Sequence, residues 1–143
     1  MDKFNIGGRI ADDKWYSKWL QLSEIPLDSG AEYVVDFGNN GYLPTDDPTC
    51  DYEVLISCWI WSNDTDNNNG ALWLYNGGSR ANSKFQLSLC YTRNRTAART
   101  IQGASCIFPL LNGDRRICFY NSQQALHHFG IQITGYKKLG TNR

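Results

Sequence analysis

The sequence predicts an all-β domain, an antiparallel β-sandwich of jelly-roll-like form, and three observations carry the prediction. Eight or more short segments alternate apolar and polar residues with period two, the pattern of strands with one buried face. Clusters rich in Gly, Asn, Asp and Pro separate them at fairly regular spacing, as in sandwiches, jelly rolls and closed barrels. No segment longer than about a turn keeps the 3.6-residue period of an amphipathic helix. With 143 residues and no internal repeat, a single core is expected and a propeller or solenoid is disfavoured.

Residues 1 to 14 are polar, with Gly7-Gly8 and Asp12-Asp13, and read as a connector to something upstream. The sandwich is expected over residues 15 to 143. Trp19 to Glu24 forms a first strand with Leu20 and Leu22 on its apolar face, before the turn segment Ile25 to Gly30. Ala31 to Phe37, with Val34-Val35, is the second strand, and Gly38-Asn39-Asn40-Gly41 breaks it. Tyr52 to Trp61 is an interior strand: Val54, Ile56, Cys58 and Ile60 face one way, Leu55, Ser57, Trp59 and Trp61 the other. Both faces are largely apolar, so both are expected to be covered, the second by a neighbouring subunit. Ala71 to Tyr75 is a short strand, and Asn76-Gly77-Gly78-Ser79 turns the chain into Lys84 to Thr92. Arg99 to Gly103 and Ala104 to Leu111 follow, and Pro109 marks an edge. Asn112-Gly113-Asp114 predicts a hairpin into Arg115 to Asn121. Ser122 to His127 reads as a loop or one helical turn. Phe129, Ile131 and Ile133 then alternate with Gly130, Gln132 and Thr134 in a final strand, Phe129 to Gly140, that pins the end of the chain into a sheet.

Fourteen basic residues balance fourteen acidic ones, so no net field draws the chain to nucleic acid. The longest apolar run, near Val54 to Trp61, is too short and too interrupted for membrane insertion. The amino terminus lacks the apolar core of a signal peptide. The five cysteines, Cys50, Cys58, Cys90, Cys106 and Cys118, are odd in number and have no C-x-x-C spacing, which predicts free thiols in a reducing compartment. The sequons at Asn63 and Asn94 then read as chance matches in polar loops.

Chemistry-bearing clusters are few. Asp64, Asp66 and Asn68 alternate as loop oxygens do around a calcium ion, but Asn69 stands where an EF-hand loop needs Gly and Tyr75 where it needs Glu. A calcium loop of another kind and a solvated hairpin tip both remain open; otherwise no cofactor is expected. His127 and His128 are adjacent and point to opposite faces of an extended backbone. Asp46, Asp47, Asp51, Glu53, Asp64 and Asp66 could supply the paired carboxylates of a glycan hydrolase, yet loop acids are ordinarily solvated, and no enzyme is predicted. A sugar-binding reading rests on aromatic rings beside polar loops: Tyr42, Trp61 and Trp73, with Asp64, Asp66 and Arg80 for directional hydrogen bonds. The same rings would also serve as core.

The last strand, closing on Gly135, Tyr136, Lys137, Leu139 and Gly140, resembles the carboxyl-terminal head of bacteriophage tail fibres and related receptor-binding proteins. That resemblance implies a non-catalytic homotrimeric β-sandwich tip on the virion, folded in the bacterial cytoplasm. Its implied partner is a bacterial cell-surface polysaccharide or an outer-membrane protein. The alternatives are a carbohydrate-binding module or lectin with a loop calcium site, and a structural decoration protein of the virion.

Overall fold

The computed structural model describes residues 3–6, 9–12, 14–28, 30–46, 48–62, 69–81, 83–92, 100–122 and 128–141. The described residues contain ten strands and no helix. β1 (Lys3–Ile6) and β2 (Arg9–Asp12) pair antiparallel with each other, so the segment read as a connector holds a small hairpin. Its strands are four residues each, too short for alternation to stand out.

The remaining eight strands are β3 (Trp15–Pro26), β4 (Glu32–Asp36), β5 (Cys50–Ser62), β6 (Asn69–Asn76), β7 (Gln86–Thr92), β8 (Thr100–Leu110), β9 (Arg116–Asn121) and β10 (His128–Thr141). They form two four-stranded sheets, ordered β3-β10-β5-β8 and β4-β9-β6-β7, with every pairing antiparallel. This interleaving, in which only β6 and β7 are both consecutive and paired, is the double Greek key of a jelly roll. The sandwich class predicted from alternation is therefore the fold observed.

One continuous core lies between the sheets. β10 contributes Phe129, Ile131 and Ile133, β5 contributes Tyr52, Val54 and Ile56, and β8 contributes Phe108 and Leu110; Leu72, Leu74, Ile117 and Phe119 face them from the other sheet. The Phe119 and Phe129 rings meet across the gap with centroids 4.9 Å apart. Val35 is buried while its neighbour Val34 is 41% exposed, as period two requires of a strand with one covered face.

Irregularities in register decide which side chains reach this core. In β3, Leu22 opposes Ile131 and Ile25 opposes Phe129, so three steps on β3 match two on β10. The extra residue includes Glu24, which takes φ 55°. This bulge switches the inward parity from Leu20 and Leu22, both half-buried, to Ile25 and Leu27, both buried. A second irregularity sits at Thr134, where Ile133 opposes Ile56 and Gly135 opposes Leu55. It turns Tyr136 inward against Tyr16, Tyr42 and Tyr52, so Tyr136 serves the core of its own chain.

The Asn112-Gly113 prediction succeeds locally and fails topologically. Both residues have positive φ, 58° and 75°, and the Asp114 amide donates to the Leu111 carbonyl at 3.1 Å, the backbone of a type I′ turn. Yet β8 pairs with β5 and β9 with β4 and β6, so the turn passes the chain between sheets and makes no hairpin. Likewise β5 and β6, on either side of the polar run, belong to different sheets, while residues 63–68 within it, read as a calcium loop or a hairpin tip, lie outside the described residues. β8 is one continuous strand at a sheet edge, which agrees with Pro109.

The β6–β7 hairpin is organised by a buried side chain. Asn76, 6% exposed, accepts through Oδ1 from the amides of Lys84 and Phe85, each at 2.9 Å, and from the Ser83 hydroxyl. Changing Asn76→Ala strands those backbone donors and is expected to cost about 1–3 kcal/mol, read as a lower midpoint in chemical denaturation with an unchanged slope. An unshifted midpoint would mean that water replaces the amide at no cost.

Candidate functional site: the two outer sheet faces

The interior is filled with apolar side chains, so binding chemistry has to be sought on the outward faces and the loops. On the β4-β9-β6-β7 sheet, register fixes a grid. Glu32, Tyr120, Trp73 and Ser88 form one row across the strands; Val34, Cys118, Tyr75 and Gln86 form the next; Asp36 and Arg116 begin a third. Trp73 and Tyr75, two residues apart on β6, share the outward face, their rings inclined by 23° with centroids 6.2 Å apart. Arg80, from the β6–β7 connection, reaches back over the sheet. Its guanidinium lies 3.7 Å from the centre of the Tyr120 ring, and its Nε donates to Glu32 Oε1 at 2.7 Å.

Cys118 lies in the middle of this grid and is fully buried. Burial pushes its thiol up to about 11, and the charge and hydrogen bond of Glu32 push the same way, so it stays protonated and inert at neutral pH. At the next row Arg116 donates to Asp114 through Nε and Nη2 at 2.8 and 2.9 Å, which holds the Asp114 carboxyl below the usual carboxylate range. An open groove of about 400 Å³ lies here, lined by Asp36, Asn112, Gly113, Asp114, Arg115 and Arg116.

The opposite outer face, on β3-β10-β5-β8, has a different character. Leu55 and Ile107 are directly opposed on β5 and β8 and are 41% and 50% exposed. Trp15 and Trp19 on β3 are 40% and 62% exposed. Between them β10 presents Gly135, opposite both Leu55 and Ser17. Trp59 lies across Gly130, where any Cβ would collide with its indole. The second face of the interior strand, expected to be covered, is thus partly open at Leu55.

The residues singled out in the sequence separate into three groups. Trp73 and Arg80 come together on one face, joined by Tyr120 through register and stacking. Tyr42 is a correction: it is 3% exposed, its hydroxyl donates to the Lys18 carbonyl at 2.6 Å, and burial, then Tyr136, push that hydroxyl up to about 12. Packed edge-on against Phe37 and Tyr136, it leaves no ring face for a ligand. The backbone of Trp61 belongs to β5, on the other sheet, opposite Ile101 and His128; its side chain lies outside the described residues, as do Asp64, Asp66 and Asn68. Among the described residues no three His, Cys, Asp or Glu side chains group as metal ligands. Sequence reasoning missed Tyr75, Tyr120 and Glu32. Tyr75 was within reach, since period two places it on the face of Trp73, whereas Tyr120 and Glu32 enter only through strand order.

Fold and surface together define a jelly-roll domain with two unlike outer faces, one bearing exposed Leu55, Ile107, Trp15 and Trp19 among polar residues such as Ser57 and Ser105, the other aromatic and polar. No protein-family model and no curated protein matches the chain. Solved structures similar to it include the coat protein dimer of Tobacco streak virus, with 10% identity and a TM-score of 0.39 over 89% of this chain and 87% of that one. A second crystal form of that coat protein gives 12% identity and a TM-score of 0.40, over 92% and 88%.

Proposed function

We propose that the domain is a non-enzymatic structural component of a virion, held among neighbouring subunits through the outer face of the β3-β10-β5-β8 sheet. The observation that carries this reading is the exposed, directly opposed pair Leu55 and Ile107, flanked by Trp15 and Trp19. Contiguous exposed apolar side chains on a sheet are costly in water and mark surfaces used for association. Lys137 and Glu53 oppose each other on this face, so a second copy meets no like-charge barrier there. Jelly rolls serve viral capsids as well as lectins, which supports the reading only as a likeness of fold.

Light scattering during size-exclusion chromatography tests it. The chain is expected to elute at a multiple of 16.3 kDa, with the fraction assembled rising with concentration. Leu55→Glu combined with Ile107→Lys, opposite charges on directly opposed positions, places charge in the contact and is expected to cost on the order of 2 kcal/mol or more, about a thirtyfold loss of association, with the strand content of the fold retained by circular dichroism. A wild-type chain of single-chain mass at every concentration, or a double variant that assembles as before, overturns the face. An antibody to the chain is expected to label intact particles.

The tail-fibre tip is the narrower form of the same reading, suggested by the resemblance of the last strand. It specifies a homotrimer that binds a bacterial surface polysaccharide or outer-membrane protein. A three-chain mass with saturable binding to susceptible cells would favour it; dimers or larger shells that ignore cells would favour the coat or decoration role.

A further inference from the structure

We infer that the outer face of the β4-β9-β6-β7 sheet is a binding platform for a neutral, extended glycan, laid along β6 over Trp73 and Tyr75. The inference is independent of the assembly reading, which concerns the opposite sheet.

Three features select this occupant. The first is shape. Trp73 and Tyr75 are half-buried, so their edges are fixed by the sheet while their rings still reach solvent. The two rings stack on each other, inclined by 23° with centroids 6.2 Å apart, and form one apolar aromatic ridge against which the C–H face of a pyranose ring can pack. A peptide strand would instead need a free backbone edge, which a face does not provide.

Polarity is the second feature. The aromatic column is bordered on one side by Ser88 and Gln86, the register partners of Trp73 and Tyr75. On the other side stand Tyr120, with Arg80 and Glu32 over it, and then Arg116 with Asp114. Sugar hydroxyls donate and accept, and these borders supply both amide or guanidinium donors and carboxylate or hydroxyl acceptors. Arg80 is braced by Glu32 and by the Tyr120 ring, so little ordering is needed when a ligand arrives.

The third is charge. Each arginine is already matched by a carboxylate, Arg80 by Glu32 and Arg116 by Asp114, and Asp36 adds a further negative charge beside Arg116. The face therefore has no surplus of positive charge with which to hold a sulfated, phosphorylated or uronic polymer. That excludes nucleic acid and acidic polysaccharide and leaves a neutral one.

The test is binding of the whole chain to a printed array of neutral and acidic glycans. Isothermal titration and tryptophan fluorescence with the strongest neutral oligosaccharide on the array follow. A neutral glycan is expected to bind and to shift the tryptophan emission. Trp73→Ala is expected to weaken it by about tenfold or more, and Arg80→Ala to weaken it less, while Trp19→Ala, on the opposite face, leaves affinity unchanged. Thermal melts of all three variants separate loss of the platform from loss of the fold, and Tyr75→Ala serves where Trp73→Ala melts early. Binding only to acidic glycans, no binding to any neutral glycan, or equal binding by well-folded Trp73→Ala and Tyr75→Ala proteins would overturn the inference. So would a change in oligomeric mass caused by Trp73→Ala, which would make the platform a subunit contact.

Discussion

Phe129→Ala is expected to be the most damaging single truncation, lowering stability by about 3–5 kcal/mol and Tm by roughly 10 °C or more. Phe129 is fully buried on β10, which lies between β3 and β5, and its ring meets Phe119 of the opposite sheet at 4.9 Å and Tyr33 at 6.0 Å. Removing it empties the place where the two sheets touch. Fixed backbones on both sides keep the space from closing, so the cavity cost adds to the lost transfer free energy. A domain of this size is ordinarily stable by only about 5–15 kcal/mol, so a large part of its margin goes. Phe129→Leu keeps most of the volume and is expected to cost far less. A Phe129→Ala protein that melts within a degree or two of the wild type would mean that the contact between the sheets is looser than the ring geometry implies.

Gly113→Ala comes next, for a reason of backbone and not of packing. Gly113 has φ 75°, and a Cβ built on it would run into the carbonyl oxygen of Pro48. The left-handed conformation alone costs an alanine about 1–3 kcal/mol, and the collision has no flexible side chain to yield to it. The surrounding bonds resist a shift as well: Asn112 donates its amide to Asp51 Oδ1 at 2.6 Å, and Arg115 donates to the carbonyls of Pro44 and Gly113 at 2.8 and 2.9 Å. The variant is expected to show a Tm loss comparable with that of a core truncation, together with faster hydrogen exchange at the start of β9. Gly41→Ala is the control. Its φ of 77° is similar, but nothing lies within 4 Å of the added Cβ, so it isolates the conformational part. Equal losses at the two positions would show that the Pro48 contact contributes nothing.

The surfaces were legible only in part. Trp73 and Arg80 were named from residue type and neighbourhood, and they do share a face, because a ring on a short strand next to a tight turn is within reach of a long side chain from that turn. Tyr42 was named for the same reasons and lies in the core. Its Gly-Asn-Asn-Gly loop folds under the Lys18 backbone, a contact 24 residues away in sequence. Leu55 reads as covered because an apolar residue on a strand ordinarily is; how far it is covered depends on what stands outside its own sheet, and it is left 41% exposed.

What the residues determined alone was local. Alternation set the strands and their buried faces, Gly and Asn set the reversals, and the positive φ at Asn112 and Gly113 follows from the only side chains that enter that region at little cost. Three things were decided by tertiary structure. Strand order sent seven consecutive connections so that only β6 and β7 became paired neighbours, since a turn reverses direction but does not choose which edge the next strand joins. The bulges at Glu24 and Thr134 changed which residues face inward, because they answer to the curvature of two packed sheets. The aromatic platform exists because β4, β9 and β6 lie side by side. Glu32, Tyr120 and Trp73 are far apart along the chain, and only the hydrogen-bonded register of three strands puts them in one row.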